Sequence, residues 1–321
     1  VQKKNILKGV LFVGLGAGIY GMLATFVKLA YHNGYTTAEI TTSQFVWGII
    51  GLFILNLIQG LFQKTPAEKA QKKDLKKLLL AGTSLGCTSL FYYLSVQYIN
   101  VSIAIVLLMQ SVWFSVVVES VLNKKLPGLG KVMAVIMVLI GTVLATNLIN
   151  MEIKLDIRGI VWGLLAAVSY TVTMFTSNTI ATYLPVFRKS LIQLLGGSII
   201  ILIFLLFSQI GPYYSEVLKN FYLHFSHNLE GVHDFNFSIL WTYGLFLAIF
   251  GTIVPPIFFN LGFPNAGLGL GSIVSSLELP ISVGMAFIIL GEKVAFIQWL
   301  GIVLILLAIV LMNLPALLKK K

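Results

Sequence analysis

Ten long apolar segments, separated by short polar loops, constrain this chain more than any other feature. They run roughly over 7–31, 38–62, 78–98, 101–123, 129–148, 159–183, 186–209, 238–262, 269–290 and 294–314. A bilayer crossing takes about 20 apolar residues, so each segment is long enough to span. Only helices and closed barrels satisfy the backbone within lipid. These segments are too long and too uniformly apolar for barrel strands, which alternate over about ten residues. The sequence therefore predicts an all-α integral membrane protein with ten transmembrane helices. Composition agrees: 10% of the 321 residues are charged, 58% are hydrophobic, and the mean hydropathy is +0.94. Soluble domains carry about 25% charged residues, so a soluble enzyme, a disordered chain and a coiled coil are excluded.

The net charge of +11 would point a soluble protein toward nucleic acid. Here it is a topology signal, because basic residues collect next to cytoplasmic membrane faces. With the N-terminus inside, seventeen of the 22 Lys and Arg residues fall in inner loops and tails. Lys154, Arg158, Lys219 and Lys293 fall outside, and Lys28 alone lies within a helix. Both termini are then cytoplasmic, which fits an even number of crossings. Lys3, Lys4 and Lys8 precede an apolar run that continues to about Tyr31 without a small-x-small cleavage pattern. That run is expected to stay as the first helix. Cys87 is the sole cysteine, so no intramolecular disulfide and no Cys/His metal cluster is expected. Arginine is rare, with Arg158 and Arg188 the only two, and isoleucine is frequent. This composition points to an AT-rich bacterial genome and so to a bacterial cytoplasmic (inner) membrane.

The chain repeats internally. KGVLFVGLGAGIYG from Lys8 matches RGIVWGLLAAVSYT from Arg158 at an offset of 150, which places Tyr20 on Tyr170. One residue of slippage places Gln44 on Gln193 and Gly48 on Gly197. The ends of the halves, 107–125 and 275–293, align at an offset of 168, which puts Gln110 on Glu278. The repeats are 1–148 and 149–321, and the second carries an insertion over about 210–237. Each repeat holds five helices. Five is odd, so the second copy enters the membrane inverted. Inverted repeats mark transporters that bind substrate near the midplane at the repeat interface.

The second repeat carries Glu278-Leu-Pro280 in the ninth segment and Leu290-Gly291-Glu292-Lys293 at its end. With two five-helix repeats, this resembles the EamA-like branch of the drug/metabolite transporter superfamily. The first repeat departs from the pattern, with Gln110-Ser-Val-Trp113 and Leu122-Asn123-Lys124-Lys125 at the matching places. The resemblance implies a permease with no enzyme activity. It places the fifth and tenth segments at the periphery, where they could contact a second copy in a homodimer.

Charged groups at mid-bilayer cost about 2.5–3.5 kcal/mol on insertion scales and are functional candidates by default. Glu39 and Glu119 lie near segment ends and can reach an interface, so they take structural roles. Glu278 has no such escape. It is the candidate substrate-binding carboxylate and proton-coupling group, with Pro280 marking a bent helix. Gln110, Tyr20 and Tyr170 join it as mid-depth polar groups from symmetry-related pairs. Trp113, Tyr92 and Tyr93 would supply an aromatic wall suited to ammonium groups. Ser275, Ser276 and Asn260 complete the candidate set, although membrane serines often bond their own backbone. Lys28 lies about eight residues beyond Tyr20, roughly 12 Å along the helix, within reach of the interface or of a substrate carboxylate. In the insertion, Val217, Leu218, Phe221, Tyr222 and Phe225 recur at helical spacing and predict a short interfacial helix. His224, His227, His233 and Asp234 match no strong metal spacing, and no metal or cofactor is expected.

The sequence thus predicts a secondary active transporter that moves a small metabolite such as an amino acid or amine outward by alternating access. The drive would be a proton gradient or exchange, since no Walker A loop is present. The partners would be substrate and membrane lipid, with no nucleic acid. A flippase for a lipid-linked metabolite, distinguished by a cavity open sideways to lipid, is the alternative. A channel would show flux that does not saturate. A membrane-embedded enzyme lacks support, since the ten segments hold no histidine or aspartate.

Overall fold

The first three apolar runs continue as single rods, their glycines accommodated within the helices. In the computed structural model, which describes residues 5–62, 71–99, 101–147, 156–226, 233–291 and 293–318, these rods are α1 (Ile6–His32), α2 (Thr37–Phe62) and α3 (Lys72–Tyr98). The fourth apolar segment is divided into α4 (Val101–Leu108) and α5 (Ser111–Asn123), and α6 (Leu129–Ala145) closes the first repeat. The second repeat begins with α7 (Ile157–Thr179) and α8 (Val186–Leu205), which continues through a π-helical turn, Leu206–Ile210, into α9 (Gly211–Tyr214). The helix expected in the insertion is α10 (Glu216–Ser226); His227 lies outside the described residues.

The next rod combines a π-helical turn, Leu240–Gly244, with α11 (Leu245–Ala248), a second π turn, Ile249–Ile253, and α12 (Val254–Ala266). The second π turn ends where Pro255 and Pro256 remove two backbone donors, which is how the rod absorbs the pair. Then come α13 (Leu268–Ser275), α14 (Glu278–Leu290) and α15 (Phe296–Leu318). Among the described residues every regular element is helical. Among the described residues eight helices are long and apolar enough to cross a membrane, and Leu129–Ala145 and Phe296–Met312 are shorter apolar helices.

Packing relates the two halves by a pseudo-two-fold axis. A Cβ on Gly197 would meet the Phe45 ring at 2.9 Å, and one on Gly48 would meet Leu194 at 2.9 Å. These are the same contact under the offset of 149, so α2 and α8 pack on each other antiparallel. The α6–α15 pair does likewise: Gly141 faces Ile305 and Gly301 faces Ala145. Gly9 of α1 sits against Asn265 and Ala266 at the end of α12, and Gly159 of α7 sits against Tyr98 and Ile99 at the end of α3. Small residues let membrane helices approach this closely.

Two groups differ from their expected settings. Lys189, assigned from sequence to an inner loop, is buried and its Nζ donates to the Ser177 carbonyl at 2.9 Å. It thereby satisfies a free carbonyl of the last turn of α7. Glu39 is fully buried. Its Oε1 accepts from Gln209 Nε2 at 2.9 Å and from the Asn236 N–H at 2.7 Å, while Oε2 accepts from the Thr36 N–H at 2.9 Å. The carboxylate pins the end of the insertion to the start of α2. Glu119 pairs with Lys131 near the start of α6, the structural role expected of it.

Candidate functional site: a polar cavity at two helix breaks

The breaks between α4 and α5 and between α13 and α14 are the same structure. Gln110 N–H donates to the Leu107 carbonyl at 3.1 Å, and Leu277 N–H to that of Val274 at 3.1 Å. Val112 N–H donates to Met109 at 3.0 Å, and Leu279 N–H to Ser276 at 3.1 Å. Each break is a tightened turn with bonds three residues apart. Both half-helices end in the left-handed region, at Lys124 (φ 50°) and Gly291 (φ 67°). Every one of these pairs is separated by 167 residues, one fewer than the sequence alignment gives. The counterpart of Glu278 is therefore Ser111, not Gln110, and Gln110 corresponds to Leu277. Glu278 is also not mid-helix: it is the first residue of α14, where a half-helix directs the positive end of its dipole. Pro280 stands in the first turn of α14, where its missing N–H breaks no helical bond.

Glu278 lines a small cavity with Tyr20, Gly21, Tyr92, Tyr93 and Ser282. Tyr170 OH donates to Glu278 Oε2 at 3.4 Å, and the Tyr20 and Tyr170 rings stack with centroids 5.9 Å apart. Sharing Ala24 and Tyr92 with this cavity is a larger one of about 310 Å³ around Val27, Lys28, Tyr31, His32 and Gln97. It lies at the ends of α1 and α3 on the face opposite the chain's N-terminus. A side chamber of about 120 Å³ shares Ala24, Leu279 and Ser282 and adds Lys28, Lys293 and Gln298. Beyond the tyrosine pair a closed cavity of about 20 Å³ is lined by Ser84, Thr88, Thr173, Ser177 and Gln193. The stacked rings thus lie between two small cavities of about 20 Å³ each, of which the one that holds Glu278 adjoins the larger chambers.

The fold brings Glu278, Tyr20, Tyr170, Tyr92 and Tyr93 together. It does not bring the remaining sequence candidates to that cavity. Gln110 bonds to the Val106 carbonyl and accepts from Trp113 Nε1 at 2.8 Å, and Trp113 is 38% exposed. Ser275 and Ser276 donate to the carbonyls of Ser272 and Ile273 in their own helix turns, at 2.8 and 2.6 Å. Asn260 is held elsewhere, donating to Gln193 Oε1 at 2.7 Å and Ser190 Oγ at 2.9 Å.

Two glutamines that sequence reasoning did not select hold equivalent places in the two halves, and Gln44 anchors a tyrosine of the site. Tyr93 OH donates to Gln44 Oε1 at 2.9 Å. That bond and the one from Asn260 to Gln193 are again two-fold equivalents, at offsets of 167 and 149. The Gln44–Gln193 match in the repeat alignment was the available signal. Lys28, which was matched with two fates, lines both the main cavity and its side chamber.

Two antiparallel halves, paired broken helices and a polar chamber at the breaks define a polytopic helical protein of the membrane-embedded type. The chain belongs to the EamA-like transporter family, whose model matches residues 7–147 and 157–314. No curated protein matches the chain. A solved crystal structure is similar over 96% of this chain and 98% of its own, with a TM-score of 0.70 and 14% identity. Likeness of that degree shows the fold alone.

Proposed function

We propose that the protein is a secondary active transporter that moves a small amino-bearing metabolite, an amino acid or amine, across a bacterial cytoplasmic membrane by alternating access. The observation that carries this reading is the placement of Glu278. A carboxylate stands at a helix break, in a cavity walled by Tyr20, Tyr92 and Tyr93. A carboxylate with aromatic faces around it suits an ammonium group. Lys28, roughly 12 Å further along α1, supplies a cation for the carboxylate of an amino acid.

In this reading the chain crosses the membrane ten times as two inverted repeats, with both termini cytoplasmic by the distribution of lysine and arginine. The larger cavity then faces outside. Transport runs outward, with Glu278 releasing the substrate amine as it takes up an external proton. The test begins with a thermal-shift screen of the purified protein against amino acids, amines, nucleosides and organic acids. The best ligand is then followed in proteoliposomes under an imposed proton gradient. Glu278→Gln is expected to abolish proton-driven accumulation. Accumulation equal to that of the unmodified protein would overturn the proton-coupling role.

A further inference from the structure

Among the described residues, Ala24 of α1 alone lines the Glu278 cavity, the larger cavity and the side chamber together. We infer that the substrate is an α-amino acid with a large apolar side chain, whose three groups occupy these three chambers. Its ammonium pairs with Glu278, its carboxylate enters the side chamber, and its side chain fills the larger cavity. The inference rests on the amine-carrier reading above and deepens it. Three chambers that diverge from one residue match three groups that diverge from one carbon. The ammonium and phosphate of a lipid headgroup lie in line along one chain and do not diverge in this way.

The side chamber has the chemistry of a carboxylate site. Thr25 and Ser282 line it and are buried. Hydroxyls in membrane helices often bond back to their own backbone, as Thr41 and Ser275 do. Among the described residues neither Thr25 nor Ser282 makes a side-chain hydrogen bond, so both hydroxyls remain to donate to an anion. Lys28 and Lys293 line the same chamber and supply its charge. Ser282 stands one turn beyond Glu278 on α14 and also lines the Glu278 cavity. The anion is thereby set beside the ammonium, as in an α-amino acid.

The larger cavity has the chemistry of an apolar pocket. At about 310 Å³ it has more than twice the room of the side chamber, about 120 Å³. Two of its polar tips are committed elsewhere. Tyr31 OH shares a hydrogen bond with Thr37 Oγ1 at 2.9 Å, and Gln97 Nε2 donates to the same oxygen. Around Ala24 there remain the rings of Tyr31 and Tyr92 and the methyl groups of Val27 and Val96. An apolar side chain gains by leaving water for such walls. A lysine or arginine side chain would lose its hydration there and meet the charge of Lys28.

Three different chambers also read handedness. Exchanging two groups on the central carbon would set the side chain against Thr25 and Ser282, or the carboxylate against Val27 and Val96. The two enantiomers of one amino acid are therefore bound unequally.

The test measures initial rates of transport by the full chain in proteoliposomes. The probes are L-leucine, D-leucine, L-alanine and 3-methylbutylamine, which is leucine without its carboxylate. L-Alanine leaves the larger cavity empty, so its KM is expected to exceed that of L-leucine by at least about tenfold, the value of one methylene in an apolar pocket. The amine and the two leucine enantiomers are expected to differ in KM as well. Val96→Phe, which fills the larger cavity, should raise the KM for L-leucine more than that for L-alanine. Ser282→Ala should raise the KM for L-leucine more than that for the amine, and Thr25→Val gives the same readout should Ser282→Ala fail to fold. Saturable transport with one KM for leucine, alanine and the amine would overturn the three-chamber assignment and leave the carrier reading standing. Transport of none of the four, or rates that rise without saturation for all of them, would overturn the amine-carrier reading itself.

Discussion

Gly21 sets the position of the candidate carboxylate, and its replacement by alanine has a calculable consequence. A Cβ at Gly21 would run into the carbonyl oxygen of Glu278 and stand 3.1 Å from its carbonyl carbon and 3.2 Å from its Cα. Ordinary contact begins at 3.4 Å. The obstructing atoms are backbone, so no rotamer relieves them, and α1 and α14 must part by roughly 1 Å. Overpacking of this kind costs about 1–3 kcal/mol. The same displacement carries Glu278 away from Tyr170, and misplacing a reacting group by about 1 Å can cost on the order of 100-fold in rate.

Gly18, one turn earlier on α1, is the control. A Cβ there would meet Ile281 at 3.7 Å, an ordinary contact. Gly21→Ala is expected to lower the Tm in detergent and to reduce flux in proteoliposomes sharply. Gly18→Ala should change neither. Equal Tm and equal flux for the two variants would refute the claim that the α1–α14 contact holds Glu278 in place.

Other consequences can be measured. Tyr93→Phe removes one of the two-fold-related bonds to a buried glutamine and Asn260→Ala removes the other along with the bond to Ser190, so each should lower stability; a cycle with Gln44→Ala or Gln193→Ala should show a coupling of about 0.6 kcal/mol, the average for such bonds in membranes, and no coupling would contradict the pairing. Lys28→Met should raise the KM for a zwitterionic amino acid and leave that for a simple amine unchanged, which paired uptake assays can separate. Asp156 caps the start of α7, and hydrogen bonds from the Arg158 side chain and N–H hold its carboxyl below the usual 3.8. Its contribution to stability is therefore fully present above that value and lost as pH falls through the lower folded one. Tm measured on either side of about pH 4 should drop on the acid side, and Asp156→Asn should remove that part of the drop.

Much of this architecture was legible in the residues. Long apolar runs with little charge can satisfy their backbones in lipid only as helices, which fixed the fold class. Repetition at 150 and 149 residues survived in the first two helices of each half because Tyr20, Gln44 and Gly48 and their partners do the same packing twice. Glu278 stood out because a charged group far from either interface is expensive.

The register of the later helices was not legible. Few identities remain there, and an offset of 168 looked as good as 167. One residue turns a helix by about 100°, enough to pair Glu278 with the wrong partner. The backbone hydrogen bonds of the two tightened turns decided it in favour of Ser111. Hydropathy likewise could not say that the fourth and ninth apolar segments are broken, since the turns at Met109–Gln110 and Ser276–Leu277 hold neither glycine nor proline and only one polar residue each within a long apolar run. Nor could it say that Asn260 faces Gln193 and Ser190 instead of Glu278. Apolarity, charge and periodicity are properties of one segment at a time, so the sequence determined the helices, the repeat and the unusual carboxylate. Which side chains share a cavity depends on how helices distant in the chain approach one another, and only the packed structure decided that.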